Sequence, residues 1–420
     1  MTIVCIPNCA FLSETSRQIA IYKALTASGM PAVLATHGGP YDFLFEQEGV
    51  PCTRLDPPMT NAEAAHYLAA VFNPMLRFQR PAVLREHVVN EIAFFRECDA
   101  EAVVSGFTLS TALSARAAGV PLIVTHTGSF VPIVIERGLF RWSDTFDNLL
   151  LDIVPHGWFD HLIGLMQGPP YPGLRVLNIV AKQLGIAPVL GLADAALGDL
   201  TLVTDVPEIL GISEEDMEAW RPPRRNIRPT VRMKYAGPIY SELFGEVPED
   251  VREFLAAPEK PRVYVALTST EPSRIARVCS TLASMDVRAV VATTIHEGRF
   301  TTSSNILLKR FLPSHKVMPL CDLVIIHGGQ GSVQSAIAAG VPLLGIPLQP
   351  EQFFNVKQVE RNGAGRCLSL RDFKKGKLRA TIQDLLGDPS YRAAMGKLQR
   401  LQAGRNGPCE VVRAIRQLVA

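Results

Sequence analysis

No run of about 18 uninterrupted apolar residues, the length a membrane-spanning helix needs, occurs in this 420-residue chain. No block of Lys and Arg stands out either: 42 basic residues face 40 acidic ones, for a net charge of +2. The basic stripe of a nucleic-acid-binding surface is therefore missing. The opening MTIVCIPNC has no basic flank and reads as a first strand, not as a secretion signal. The eight cysteines are scattered, and only Cys5 and Cys9 lie close together. A C-x3-C pair without a second pair or a nearby histidine is a weak metal signal, and buried free thiols in a cytoplasmic protein are the simpler reading. Two nucleotide fingerprints are also missing. G-x-x-x-x-G-K-[ST] occurs nowhere, and G-x-G-x-x-G read from Gly329 fails at Gln334. What remains is a soluble, cytoplasmic globule, with 47% hydrophobic and 20% charged residues and too long for one ordinary core.

Strand-like apolar runs alternate with helix-like segments, which predicts parallel sheets with helical crossovers. In the first half the strands are Ile3–Ile6, "PAVLAT" (31–36), "EAVVSG" (101–106) and "VPLIVT" (120–125). Glu14–Ser28 has helical spacing and is closed by Gly29. Residues 129–200 differ: they are apolar and aromatic, broken by Pro and Gly, and suit either the wall of an apolar cleft or ordinary packing helices. The second half repeats the alternation through "RVYVALTST" (262–270), "VRAVVATT" (287–294), "NILLKRFLP" (305–313) and "DLVIIHGG" (322–329). The expected division is a first domain over 1–220, a Pro- and charge-rich linker over 221–260, a second domain over 261–395 and a final helix over 396–420 that returns to the first domain. Doubly wound sheets bind ligands beyond their carboxyl strand ends, so a site between the domains is expected.

The most informative stretch is "HGGQGSVQSAIAAGVPLLGIPLQPEQ" (327–352), where a strand runs into a glycine-rich turn and a helix. Backbone N–H groups and the helix dipole converge on an anion in such an arrangement. Gly328, Gly329 and Gly331 permit close backbone approach, and Ser332 is expected as N-cap or as a donor to an oxygen.

The longer segment, from His327 through Ala339-Gly340-Val341-Pro342, Pro347, Gln352 and Asn355 to Gly363 and Gly365, resembles the donor-binding signature of family 1, UDP-glycosyltransferase-like enzymes. That family includes bacterial antibiotic and macrolide glycosyltransferases. The resemblance implies an α/β protein of the GT-B fold, two Rossmann-like doubly wound domains facing each other across a cleft. It also implies inverting sugar transfer with neither metal nor cofactor, the nucleotide sugar being a co-substrate. By position, His327 would contact the diphosphate, and the N–H groups and hydroxyl around Gly329, Gly331 and Ser332 would hold the phosphates. Thr268 and Ser269 fall beside the phosphates, Phe311 where an aromatic stacks on the base, and Leu312 at its edge. Glu351 and Gln352 stand at an Asp-Gln pair that reads sugar hydroxyls. Core packing is the alternative for Phe311, and a structural role the alternative for His327. Eight residues past the histidine, Ser335 replaces a glutamate that accepts from both ribose hydroxyls. Uridine is favoured by resemblance, with thymidine close behind because of this serine.

The resemblance also departs at the catalytic position. Family members commonly take their general base from a His that opens the first long helix, oriented by an Asp; here Ser13-Glu14 and Ser105 stand there. Three readings of Glu14 stay open. It is the base, with a pKa raised by burial; or a first-turn acid behind an N-cap Ser13; or the base lies elsewhere, with His126 and His37 at strand ends as candidates. The leading function is a hexosyltransferase acting on a small, largely apolar acceptor. A nucleotide-sugar epimerase and a degenerate, non-catalytic partner subunit are the alternatives. No nucleic-acid partner and no transmembrane segment are expected, with the chain a monomer or homodimer.

Overall fold

In the computed structural model of the chain, the described residues are 2–72, 76–140, 172–222, 226–240, 245–256, 259–267, 270–293, 300 and 303–419. Seven strands form the first sheet: β1 (Thr2–Ile6), β2 (Ala32–Thr36), β3 (Thr53–Arg54), β4 (Ala100–Ser105), β5 (Leu122–His126), β6 (Leu200–Val203) and β7 (Arg232–Tyr235), in the order β3-β2-β1-β4-β5-β6-β7. Six form the second: β8 (Arg262–Ala266), β9 (Arg288–Ala292), β10 (Ile306–Lys309), β11 (Leu323–Ile326), β12 (Leu343–Gly345) and β13 (Gly365–Cys367), in the order β10-β9-β8-β11-β12-β13. All their pairings are parallel. The central strands are buried on both faces, which is why Ile3–Ile6 and Leu323–Ile326 read as continuous apolar runs. In each sheet the strand order reverses beside the first strand, next to β4 and next to β11, and the carboxyl end of that switch point is where ligands bind.

Three boundaries differ from the expected division. β7 pairs with β6, so the first sheet reaches Tyr235 inside the expected linker. The helix Glu249–Leu255 packs Val251 and Leu255 against Tyr264 and Val290 of the second core. Pro and charge made 221–260 look like a linker, but the alternating buried positions Met233 and Tyr235 tie its start to the first sheet. Near the C-terminus, Met395 and Leu398 belong to the second core, whereas Val411, Val412 and Ile415 of the helix Gly407–Val419 pack with Ile3, Ile21 and Leu25 of the first. Of the aromatic segment proposed as a cleft wall, residues 141–171 lie outside the described residues, as do Thr268 and Ser269.

The first long helix, α1 (Leu12–Ala27), follows β1 and begins at the cleft. Its N-cap is Phe11, with no side-chain cap, so Ser13 lies inside the helix and is not the N-cap.

Candidate functional site

β11 ends at Ile326 and delivers His327 to the turn that opens the seat helix, Gln330–Ala339. Gly328 has φ of 97°, and a Cβ there would come within 2.7 Å of the Gln352 carbonyl and closer still to Val356. Only glycine fits this position. Gly329 is the N-cap, without a side-chain cap, so Ser332 sits in the first turn and is not the cap. The first helical bond runs from the Val333 N–H to the Gly329 carbonyl, which leaves the N–H groups of Gln330, Gly331 and Ser332 free of helical partners. A Cβ on Gly331 would meet open space, so its glycine is not demanded by packing. His327 Nδ1 makes no hydrogen bond to any described residue; burial lowers the pKa of the ring, and the Ala266 carbonyl opposes that shift.

Phe311 is 68% exposed, with the Arg310 guanidinium over its ring, while Leu312 is buried. The core-packing alternative for Phe311 therefore does not apply. Ser335 is buried on the seat helix. Glu351 and Gln352 lie in the first turn of the helix Pro350–Arg361. Glu351 accepts from Asn355 Nδ2 at 2.8 Å and from the Gln330 N–H of the seat. Gln352 Oε1 instead accepts from the Leu348 N–H at 2.9 Å, closing its own loop.

On the facing domain, Glu14 is 6% exposed. Its Oε2 accepts from the Phe107 N–H at 3.3 Å, and its carboxyl lies against Gly106, where a Cβ would fall 1.5 Å from that oxygen. Ser105, the counterpart of the orienting acid, points elsewhere and donates to the Ile6 carbonyl. The group that does hold Glu14 is Arg17, which the sequence reading missed. Its Nη1 donates to Glu14 Oε1 at 2.7 Å and to the Thr125 carbonyl at 3.1 Å, and its Nη2 donates to Gln330 Oε1 at 2.9 Å. Gln330 Nε2 in turn donates to the Thr204 carbonyl and to Asp205 Oδ2, each at 3.3 Å. Two signals for this cluster were present: the i, i+3 spacing of Glu14 and Arg17 on one helix face, and an acid, Asp205, at a strand end.

The ring of neither histidine candidate hydrogen-bonds to this cluster. His126 Nε2 lies 2.9 Å from the Ala196 carbonyl, and burial, with Arg17 nearby, lowers its pKa to about 3, too low for an efficient base near neutrality. His37 has the Pro57 carbonyl 3.2 Å from Nδ1 and Glu91 Oε1 3.4 Å from Nε2. These contacts tie the ring to the first domain and not to the Glu14–Arg17–Gln330 link. Its stacking partner His87, 3.7 Å away, is lowered to about 4, chiefly by burial. Burial pushes the Glu91 carboxyl up, but His37 and the hydroxyls of Ser110 and Ser114 outweigh it and hold the group below the ordinary range. Glu91, His37 and the two serines thus form a buried polar cluster of the first domain.

Glu14, Asp205 and Glu351 thus surround one guanidinium. Burial pushes each above the ordinary carboxylate range, and Arg17 pulls each back. The folded protein holds protons here that the unfolded chain has released, so their stabilising contribution is complete below the ordinary carboxylate range and is lost as pH rises through the raised values. Glu91 has the opposite sign, but its contribution is lost only at lower pH. The unfolding midpoint of Glu351→Gln is expected to fall less steeply than that of the wild type as pH rises above the ordinary carboxylate range. Parallel midpoints in thermal scans across that range would refute an enclosed Glu351 with a raised pKa.

Two doubly wound parallel sheets facing each other across a cleft are the arrangement of the GT-B fold. Residues 276–418 match the family model of the C-terminal domain of erythromycin biosynthesis protein CIII-like proteins. A PGL/p-HBAD biosynthesis rhamnosyltransferase of Mycobacterium tuberculosis is 26% identical over 329 residues, 77% of this chain and 68% of its own length. TDP-daunosamine transferase DnrS of Streptomyces peucetius is 31% identical over 205 residues, 46% of each chain. The solved structure of glycosyltransferase VinC in complex with dTDP superposes with a TM-score of 0.67 at 18% identity, covering 100% of this chain and 99% of that one. The chain is a GT-B glycosyltransferase of the antibiotic and natural-product type. Among the described residues, no helix is long and apolar enough to cross a membrane.

Proposed function

We propose that the chain transfers a sugar, with inversion and without a metal, from a nucleoside diphosphate sugar to a small, largely apolar acceptor. The observation that carries this reading is the hydrogen-bonded link Glu14–Arg17–Gln330, which sets a buried carboxylate beside the head of the phosphate seat. In the reaction the acceptor oxygen gives its proton to Glu14 and bonds to the anomeric carbon. The bond from that carbon to the β-phosphate oxygen breaks, and its electron pair leaves on the diphosphate, where the free N–H groups of the seat and His327 receive the charge. Phe11, Tyr67, Phe78, Phe107 and Phe130 cluster beside Glu14, an apolar wall suited to an apolar acceptor.

For the donor base, a buried serine at 335 supports thymidine over uridine, because it withdraws the carboxylate that would accept from two ribose hydroxyls. The dTDP held by VinC and the donor named for DnrS support the same choice. In a competition experiment, dTDP is expected to bind about tenfold tighter than UDP, roughly 1.4 kcal/mol; equal or reversed affinities would overturn the choice. Donor incubated alone should come back with its sugar configuration intact. Epimerised donor would replace the transferase reading with an epimerase.

A further inference from the structure

Arg17 is 4% exposed and lies where the two domains meet. It reaches one domain through Glu14 Oε1 and the Thr125 carbonyl, and the other through Gln330 Oε1, a residue 313 positions away. Its Nε makes no hydrogen bond to any described residue. A buried guanidinium with a spare N–H is unusual, because an unmet donor in a low-dielectric site is costly, more so on a charged group. Gln330 is the first residue of the seat helix, so the far end of Arg17 touches the element on which the donor diphosphate is proposed to rest.

We propose that Arg17 is a positioning residue that couples the donor seat to the general base, spanning the cleft from Glu14 to Gln330 so that the carboxylate is held for the acceptor only when the two domains are together. The proposal rests on the reading of Glu14 as the base. With the domains apart, the contact to Gln330 is lost and the guanidinium keeps only its first-domain partners. With them together, it is fixed at both ends, and the planar fork of arginine is suited to two acceptors at once, which an ammonium is not. The charged and titratable groups around it are Glu14 on α1, His126 at the end of β5, Asp205 after β6 and Glu351 from the facing domain. His126 is neutral in its buried setting, so Arg17 supplies the positive charge nearest to Glu14.

The sign of the effect follows. Burial raises the Glu14 pKa and Arg17 lowers it. Replacing Arg17 by a neutral group removes the lowering partner, so the carboxylate takes its proton at higher pH and the acidic limb of the rate profile moves upward. The test compares kcat against pH for wild type, Arg17→Gln, Arg17→Lys and Glu14→Gln, with thermal scans and with dTDP binding by calorimetry. Arg17→Gln is expected to move the acidic limb up by a pH unit or more, a tenfold loss of rate at any pH below the limb, and to weaken dTDP binding several-fold. Arg17→Lys, which keeps the charge but not the fork, moves the limb the same way by about threefold in rate, and carries the test if Arg17→Gln shows no cooperative unfolding. A limb left in place in the Arg17 variants, while Glu14→Gln abolishes it, overturns the coupling and leaves the base assignment standing. A limb that persists in Glu14→Gln removes the base assignment itself, and the coupling falls with it.

Discussion

Glu14→Gln is expected to lower turnover by about 10²–10⁴, the usual cost of removing a general base, while donor affinity stays near that of the wild type. That loss corresponds to roughly 3–5 kcal/mol of barrier. Glutamine is the right probe because it keeps the shape of Glu14 and an amide oxygen for Arg17, while its NH2 replaces the oxygen that accepts from the Phe107 N–H. Alanine would leave the buried guanidinium uncompensated, at a cost of about 3–5 kcal/mol to the fold, and would confuse catalysis with stability. The pH–rate profile should lose its acidic limb, since no carboxylate remains to titrate. If Glu14 only complements the helix dipole, its removal costs about 0.3–1 kcal/mol and turnover stays within a few-fold, so a nearly active Glu14→Gln enzyme rules the assignment out. His126 and His37 are poor successors, one with a pKa of about 3 and the other held by Pro57 and Glu91 of the first domain. The remaining source of activation would be the acidity of the acceptor itself, as in a phenol or a carboxylic acid.

The strands that could be read from sequence are those buried on both faces, such as Val4 to Ile6 and Leu323 to Ile326, because burial alone forces a continuous apolar run. The edges were harder. β7 alternates Arg232 and Lys234 with buried Met233 and Tyr235, and β13 is Gly-Arg-Cys, whose place is set by pairing with β12 and not by its own residues. The glycine turn before the helix Gln330–Ala339 was legible for a local reason: strand, turn and helix are contiguous, and Gly328 is required by its own backbone. The link across the cleft was not, because it is assembled from residues 313 positions apart. A charge at i+3 on a helix reads as a solvated face until the opposing domain is placed against it. The same holds for His37, whose role depends on Glu91 and Pro57, partners that no local spacing announces.

Replacing Glu351 by alanine should separate sugar recognition from diphosphate binding. The expected result is a loss of at least about 10² in kcat/KM for the nucleotide sugar, because hydrogen bonds to a charged acceptor are worth roughly 1.5–3 kcal/mol each and vicinal hydroxyls offer two. Free nucleoside diphosphate should bind as well as before, or more tightly. The geometry gives the reason: the Glu351 carboxyl accepts from the Gln330 N–H, one of the three groups free to meet a phosphate, so removing it returns that donor to the seat and takes an enclosed acid away from an incoming anion. Gln352→Ala is the weaker probe. Its Oε1 holds the Leu348 N–H, and the loop before the helix Pro350–Arg361 would relax along with any sugar contact. Glu351→Gln refines the reading: an amide keeps one acceptor but no charge, so a sugar bound through charge-assisted bonds should lose most of the same affinity. Calorimetry with dTDP and with the intact donor decides the matter. Equal losses for both ligands in Glu351→Ala would place this residue in the phosphate seat and take it out of sugar recognition.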